Sequence, residues 1–202
     1  MSEARPRRSQ ADRSAATRDA LIAAARPLFA QHGFAGVGTE TIVAAAGVTR
    51  GAMYHHFADK TELFAAVFEA VEIEVTERLA TDFFASGETD PVAIMRLGAR
   101  AWLDLCAEPE VQRIVLVEAP AVLGWIRWRA IGQAHGLGLV QGMLVGVMEA
   151  GRLPQQPVTP LAHVLMGALD EAALYIAQSD DPVQARAEMQ AALDNVLDGL
   201  TI

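Results

Sequence analysis

Cysteine occurs once in 202 residues, at Cys106. That excludes a disulfide framework or a cysteine-rich zinc site within one chain, and it fits a reducing cytosol. Charge is sparse: 20% of residues are Asp, Glu, Lys or Arg against 52% hydrophobic, a balance that rules out a disordered chain. β-Branched runs are scarce and alanine is abundant, so the expected class is all-α. A continuous apolar run of about 20 residues is missing. The nearest candidate, Ala130 to Met148, contains Gln133, His135, Gln141 and several glycines, and reads as a buried helix of a soluble protein. The charged, polar N-terminus lacks a signal-peptide pattern, so a cytoplasmic location is expected. Catalytic signatures are lacking too: no P-loop, HExxH, CxxC or nucleophile–base pair. The five histidines, His32, His55, His56, His135 and His163, do not fall at metal-ligand spacing. The expectation is a protein that is not an enzyme and holds no metal or cofactor.

What is present centres on TETIVAAAGVTRGAMYHHFADK, Thr39 to Lys60. Thr39 is a natural N-cap, and Ile42, Val43 and Ala46 give a short helix its apolar face. Gly47 supplies a residue that tolerates positive φ, Val48 plugs the angle, and Thr49 caps a second helix. Asp59 then caps a third, with Glu62 completing a capping box. This is the helix-turn-helix pattern, whose second helix docks in the DNA major groove. At helical spacing Met53 and Phe57 point inward, while Arg50, Gly51, Tyr54 and His55 point outward. Arginine reads guanine edges, tyrosine donates to phosphate, and a glycine lets backbone or base come close. The competing reading is an ordinary helical hairpin with a polar outer face.

A net charge of −9 argues at first against nucleic acid, but its distribution does not. Residues 1–60 carry eight basic against five acidic side chains, and residues 61–202 carry eight against twenty. A basic end on an acidic body is expected when only one end meets phosphate. Residues 1–13 read as disordered, with Arg5, Arg7, Arg8 and Arg13 either reaching DNA as a basic arm or simply solvated. Helical periodicity predicts a first helix over 17–32, ended by Gly33 and kinked or interrupted at Pro27. Further helices are expected over 60–84, from Pro91 to about Ala107, from Pro109 to a stop at Pro120, then through the glycine-rich stretch to Gly151, and over 160–177 and 182–200.

Residues 23–67, AAARPLFAQHGFAGVGTETIVAAAGVTRGAMYHHFADKTELFAAV, resemble the N-terminal domain of the TetR/AcrR family of bacterial transcriptional regulators. The matching residues are Ala24, Leu28, Phe29, Gly33, Phe34, Thr39, Ile42, Ala46, Gly47, Val48, Gly51, Tyr54, His56, Phe57, Lys60, Leu63 and Phe64. Val43 replaces the alanine usual after the helix-2 isoleucine. Glu40 places a carboxylate near a phosphate contact, where it must face away or bind base or water.

The resemblance implies an N-terminal three-helix helix-turn-helix DNA-binding domain over 17–64, after a flexible basic arm over 1–16. A larger helical ligand-binding and dimerisation domain would follow over 65–202. It implies that Arg50 and Gly51 face base edges and that Thr39, Thr49, Tyr54, His55 and His56 contact phosphates or nearby bases. Lys60 would bond a phosphate, and His56 could instead brace the following helix. The implied partners are double-stranded DNA with a palindromic operator, a second copy through the last two helices, and a small hydrophobic or aromatic effector, with no membrane. Candidate effector-site residues are Phe83, Trp102, Cys106, Trp125, Trp128, Met143, Val147, His163, Met166 and Asp170, each of which could equally be plain core. Cys106 could be a redox sensor or a buried structural thiol. Asp170 and Glu171 could face a polar or cationic ligand group, or pair with an arginine such as Arg127. The expected function is a ligand-released repressor. The alternatives are an activator on the same fold, or a small-molecule-binding or dimeric interaction protein whose helix-turn-helix is only structural.

Overall fold

The computed structural model describes residues 10–201, and these are all-α, without a strand. The elements are α1 (Gln10–Gly36), α2 (Thr39–Ala46), α3 (Arg50–His56), α4 (Lys60–Ala85), α5 (Pro91–Cys106), α6 (Pro109–Val111), a π-helical turn (Gln112–Glu118), α7 (Ala119–Leu123), α8 (Trp125–Glu149), α9 (Val158–Gln178) and α10 (Pro182–Leu200). The chain forms two compact units, divided between Phe68 and Glu69.

In the first unit, α1, α2, α3 and the start of α4 enclose Leu21, Phe29, Ile42, Met53, Leu63, Phe64 and Val67, all fully buried. Phe29, Phe34 and Phe64 form an aromatic cluster with centroids 5.1–5.9 Å apart. Each buried ring contributes roughly 1.5–3 kcal/mol through removal from water. The turn signals act as their chemistry requires. Gly47 takes φ 66°, the left-handed conformation that ends α2. Thr49 Oγ1 accepts from Ala52 N at 3.1 Å, and Asp59 Oδ1 accepts from Glu62 N at 2.9 Å.

Four local expectations need correction. The first helix begins at Gln10, so Arg13 is helical, while Arg5, Arg7 and Arg8 lie outside the described residues. Pro27 does not interrupt α1, whose one non-helical residue is Gly33 at φ 70°. The N-cap of α2 is Gly38, without a side-chain cap bond, and Thr39 is the first helical residue. Pro120 does not stop the helical run that opens at Pro109; Gly124, at φ 78°, does.

Pro120 is tolerated for a reason visible in the backbone. Ala119 N bonds Ile114 O, the i→i+5 pattern. The next N–H in that pattern would serve Val115 O, but it would have to come from Pro120, which has none. The indole Nε1 of Trp128 donates to Val115 O instead, at 2.9 Å.

In the second unit, Val92, Met95, Leu144, Val147, Met148, Leu153, Ala162, Leu165 and Leu197 make one core shared by α5, α8, α9 and α10. Asp90 and Asp181 cap α5 and α10, each just before an N1 proline. Arg96 pairs with Asp194 at 3.5 Å and with Asp198, and Arg186 with Asp104 at 2.8 Å, tying α10 to α5. Helix α8 is long and apolar enough to cross a membrane by length and composition, yet only 17% of that window is buried. It is thus less buried than expected; Trp128, Arg129, Gly132, Gln133, Gly136, Leu139, Val140 and Met143 border a cavity.

Candidate nucleic-acid interface and effector cavity

Helix α3 is fixed from beneath by Met53 and Phe57, 0% and 5% exposed. That leaves Thr49, Arg50, Gly51, Tyr54 and His55 exposed, with His56 half-buried. The Arg50 guanidinium bonds Glu40 Oε1 at 2.9 Å and lies over the Tyr54 ring at 5.5 Å. Glu40 therefore faces Arg50. The pair is well exposed, at 60% and 69%, so solvent screens it and a stronger acceptor can displace it. A Cβ at Gly51 would meet only Thr49 Oγ1, at 3.9 Å, so this glycine is not required by packing within the chain. The His55 and His56 rings meet edge to face at 5.2 Å. Thr39 is half-buried at the start of α2.

Lys60 is held inside the unit. Its Nζ donates to Phe34 O at 2.8 Å and Val37 O at 2.9 Å and sits 4.0 Å above the Phe34 ring. Two of the ammonium's three donors are thus committed to the last turn of α1 and the loop after it, leaving at most one for a phosphate.

The second unit holds a cavity of about 120 Å³. Its walls come from α4, α5, α8, α9 and α10, with Val115 of the π turn. Phe83, Trp102, Trp128, Met143, Met166 and Leu169 supply apolar surface, and Thr76, Glu72, Arg129, Gln133 and Asp170 the polar groups. Arg129 stands 4.0 Å from Asp170. Burial pushes Asp170 up to about 6 against the pull of Arg129. Burial first, then the Asp170 charge, pushes Glu72 up to about 7.

Two family profiles match the chain. Residues 21–67 match the bacterial regulatory proteins of the tetR family, and residues 92–200 match the tetracyclin repressor-like C-terminal domain. The chain belongs to the TetR family. A TetR-family transcriptional regulator of known structure from Pectobacterium atrosepticum is 36% identical, with a TM-score of 0.84 over 96% of this chain and 98% of that one. The HTH-type transcriptional regulator CymR of Pseudomonas putida is 46% identical over 72 residues, 36% of each chain. AcrR of Shigella flexneri is 39% identical over 80 residues, 40% of this chain and 37% of that one. The matches to these two curated relatives thus span little more than a third of their length. TetR-family proteins are transcriptional regulators and not enzymes.

Within this TetR-family chain, Phe83, Trp102, Trp128, Met143, Met166 and Asp170 line the cavity, and four other expected residues do not. Val147, 0% exposed, is core. Trp125 is largely exposed, its ring tilted against that of Trp128 with centroids 4.8 Å apart. His163 stands behind the wall, its Nδ1 3.1 Å from Gln133 Nε2. Cys106 is buried, and its thiol is pushed well above its ordinary value by burial, then by Glu72 and Asp170. A thiol held protonated is a poor redox sensor. Asp170 faces Arg129 rather than Arg127, and Glu171 is exposed. Sequence reasoning missed Glu72. Its signal was available: at i+4 from Phe68 and i−3 from Val75, it lies on the apolar stripe of α4.

Proposed function

We propose that this chain is a cytoplasmic, ligand-responsive, sequence-specific DNA-binding regulator of transcription, a repressor that a small molecule releases from its operator. The observation that carries the reading is the outer face of α3. Arg50, Gly51, Tyr54 and His55 are exposed together on a helix whose opposite side is locked by Met53 and Phe57. Arg50 and Gly51 read base edges there, and Thr39, Thr49, Tyr54, His55 and His56 meet phosphates or neighbouring bases.

A homodimer through α9 and α10 presents two such helices to a palindromic operator about 34 Å apart. Support comes from unpartnered faces of both helices. Val164, Glu171 and Tyr175 are exposed along α9, and Val183, Ala187, Ala191, Asn195 and Gly199 form an exposed i+4 row on α10. Small side chains in such a row allow close helix approach.

Effector in the cavity shifts α4 and so biases a two-state equilibrium. Support is the make-up of that one helix. Its N-terminus holds the Asp59 cap and the Lys60 bracket, and further along it contributes Glu72, Thr76, Leu79 and Phe83 to the cavity wall. The test is equilibrium binding of the full chain to DNA from upstream of its own gene. Arg50→Ala and Tyr54→Ala should each weaken it about 10- to 100-fold. Unchanged affinity in both variants contradicts the reading.

A further inference from the structure

We propose that the cavity selects a small organic cation, an apolar body of about one ring bearing a protonated amine, and that Glu72 receives its charge. The inference rests on taking the cavity as the effector site. Glu72 is the one charged side chain among the buried residues of the described chain, at 6% exposure, and it lines the cavity. It has no hydrogen-bond or ion-pair partner among the described residues. A buried carboxylate in that state is costly unless a counter-charge is supplied.

The surroundings define that counter-charge. The cavity wall holds two carboxylates, Glu72 and Asp170, and one guanidinium, Arg129. Arg129 stands beside Asp170, so Glu72 is left uncompensated. An added cation makes the count neutral, whereas an anion would deepen the imbalance. Space is available in front of the carboxylate. A Cβ at Gly132 would meet only Glu72 Oε2, at 3.9 Å, so α8 presents bare backbone there. The apolar wall suits a cation as well: the faces of Trp102 and Trp128 attract positive charge, and methionines adapt to an irregular body. The volume, about 120 Å³, is near that of an engineered cavity of about 150 Å³ that binds benzene.

Binding is then linked to a proton. Glu72 is half-protonated near pH 7 in the free protein, and a bound cation ionises it. Several other groups share this environment. They are Thr76 on α4, the protonated Cys106 thiol on α5, Arg129 and Gln133 on α8, and Asp170 on α9, with His163 behind Gln133. Asp170, pushed up to about 6, is the rival source of pH dependence, and Glu72→Gln separates the two.

The test is quenching of intrinsic tryptophan fluorescence in the full chain without DNA, since Trp102 and Trp128 line the site. The probes are phenethylammonium, its near-isostere 2-phenylethanol, and phenylacetate. Phenethylammonium should bind at least about tenfold more tightly than the alcohol, and phenylacetate most weakly. Its affinity should fall about tenfold from about pH 8 to about pH 6. Glu72→Gln, which removes a buried charge and should melt no lower than wild type, should abolish both the preference and the pH dependence. The inference is overturned if phenethylammonium does not bind, if either other probe matches it, or if Glu72→Gln keeps the preference or the pH dependence. Operator binding is measured separately. A chain that shows the cation preference but binds no operator keeps this inference and loses the regulator reading. A chain that binds operator without the preference does the reverse.

Discussion

Lys60 and Glu72 lie on one helix and show two outcomes for a charge drawn out of water. The Lys60 ammonium is met by two carbonyls and an aromatic face, so it clamps the end of α1 and the loop after it to the start of α4. Lys60→Met should leave Phe34 O and Val37 O without their donor and cost about 1–3 kcal/mol in urea unfolding. The role is invisible in sequence because the partners are backbone atoms 23 and 26 residues away. Glu72 has no such partner, and its proton leaves near pH 7 in the folded chain against an ordinary value of 4.5. The native state holds that extra proton between the two values. Stability from this group is therefore fully present below about pH 4.5 and is lost as pH rises through 7. Asp170 adds a smaller loss of the same sign between 3.8 and about 6. Glu72→Gln should flatten much of that fall and stabilise the protein by about 1–3 kcal/mol at about pH 8, read by unfolding across pH.

The elements divide by how local their causes are. The caps at Thr49 and Asp59, and the left-handed Gly47, were legible because each acts within a few residues of itself. Pro120 misled for the converse reason: a proline signals a helix end, and what rescues this one is an indole eight residues further on. Trp128→Phe should remove the donor to Val115 O and cost about 1–3 kcal/mol, measured by denaturant unfolding. Pro120→Ala, harmful or neutral alone, should recover part of that loss in the Trp128→Phe background by restoring a backbone N–H. Of the glycines of α8, Gly132 and Gly136 keep space at the cavity wall. Gly132→Ala should gain up to about 1 kcal/mol of helix stability and narrow the space facing Glu72, so that it melts higher and binds phenethylammonium less tightly.

At the scale of the molecule, charge and architecture follow the same division. The basic residues outnumber the acidic ones over the first 60 positions, where the exposed face of α3 lies, and are outnumbered over the remainder taken together. DNA affinity should therefore fall steeply with salt, with a slope set by the phosphates neutralised. The all-α class and the helix-turn-helix were legible because periodicity and turn chemistry repeat along the chain. The cavity was legible only in part: Trp102, Trp128, Met143, Met166 and Asp170 carry bulk or charge at helical spacing, but which of many such residues converge depends on packing among five helices. The most direct measurement is footprinting of the full chain over the promoter of its own gene, without and with a bound small molecule. The account predicts protection of two half-sites about one helical turn apart, lost in Arg50→Ala and relieved by the ligand. Absence of protection, or protection indifferent to both Arg50→Ala and ligand, would contradict it.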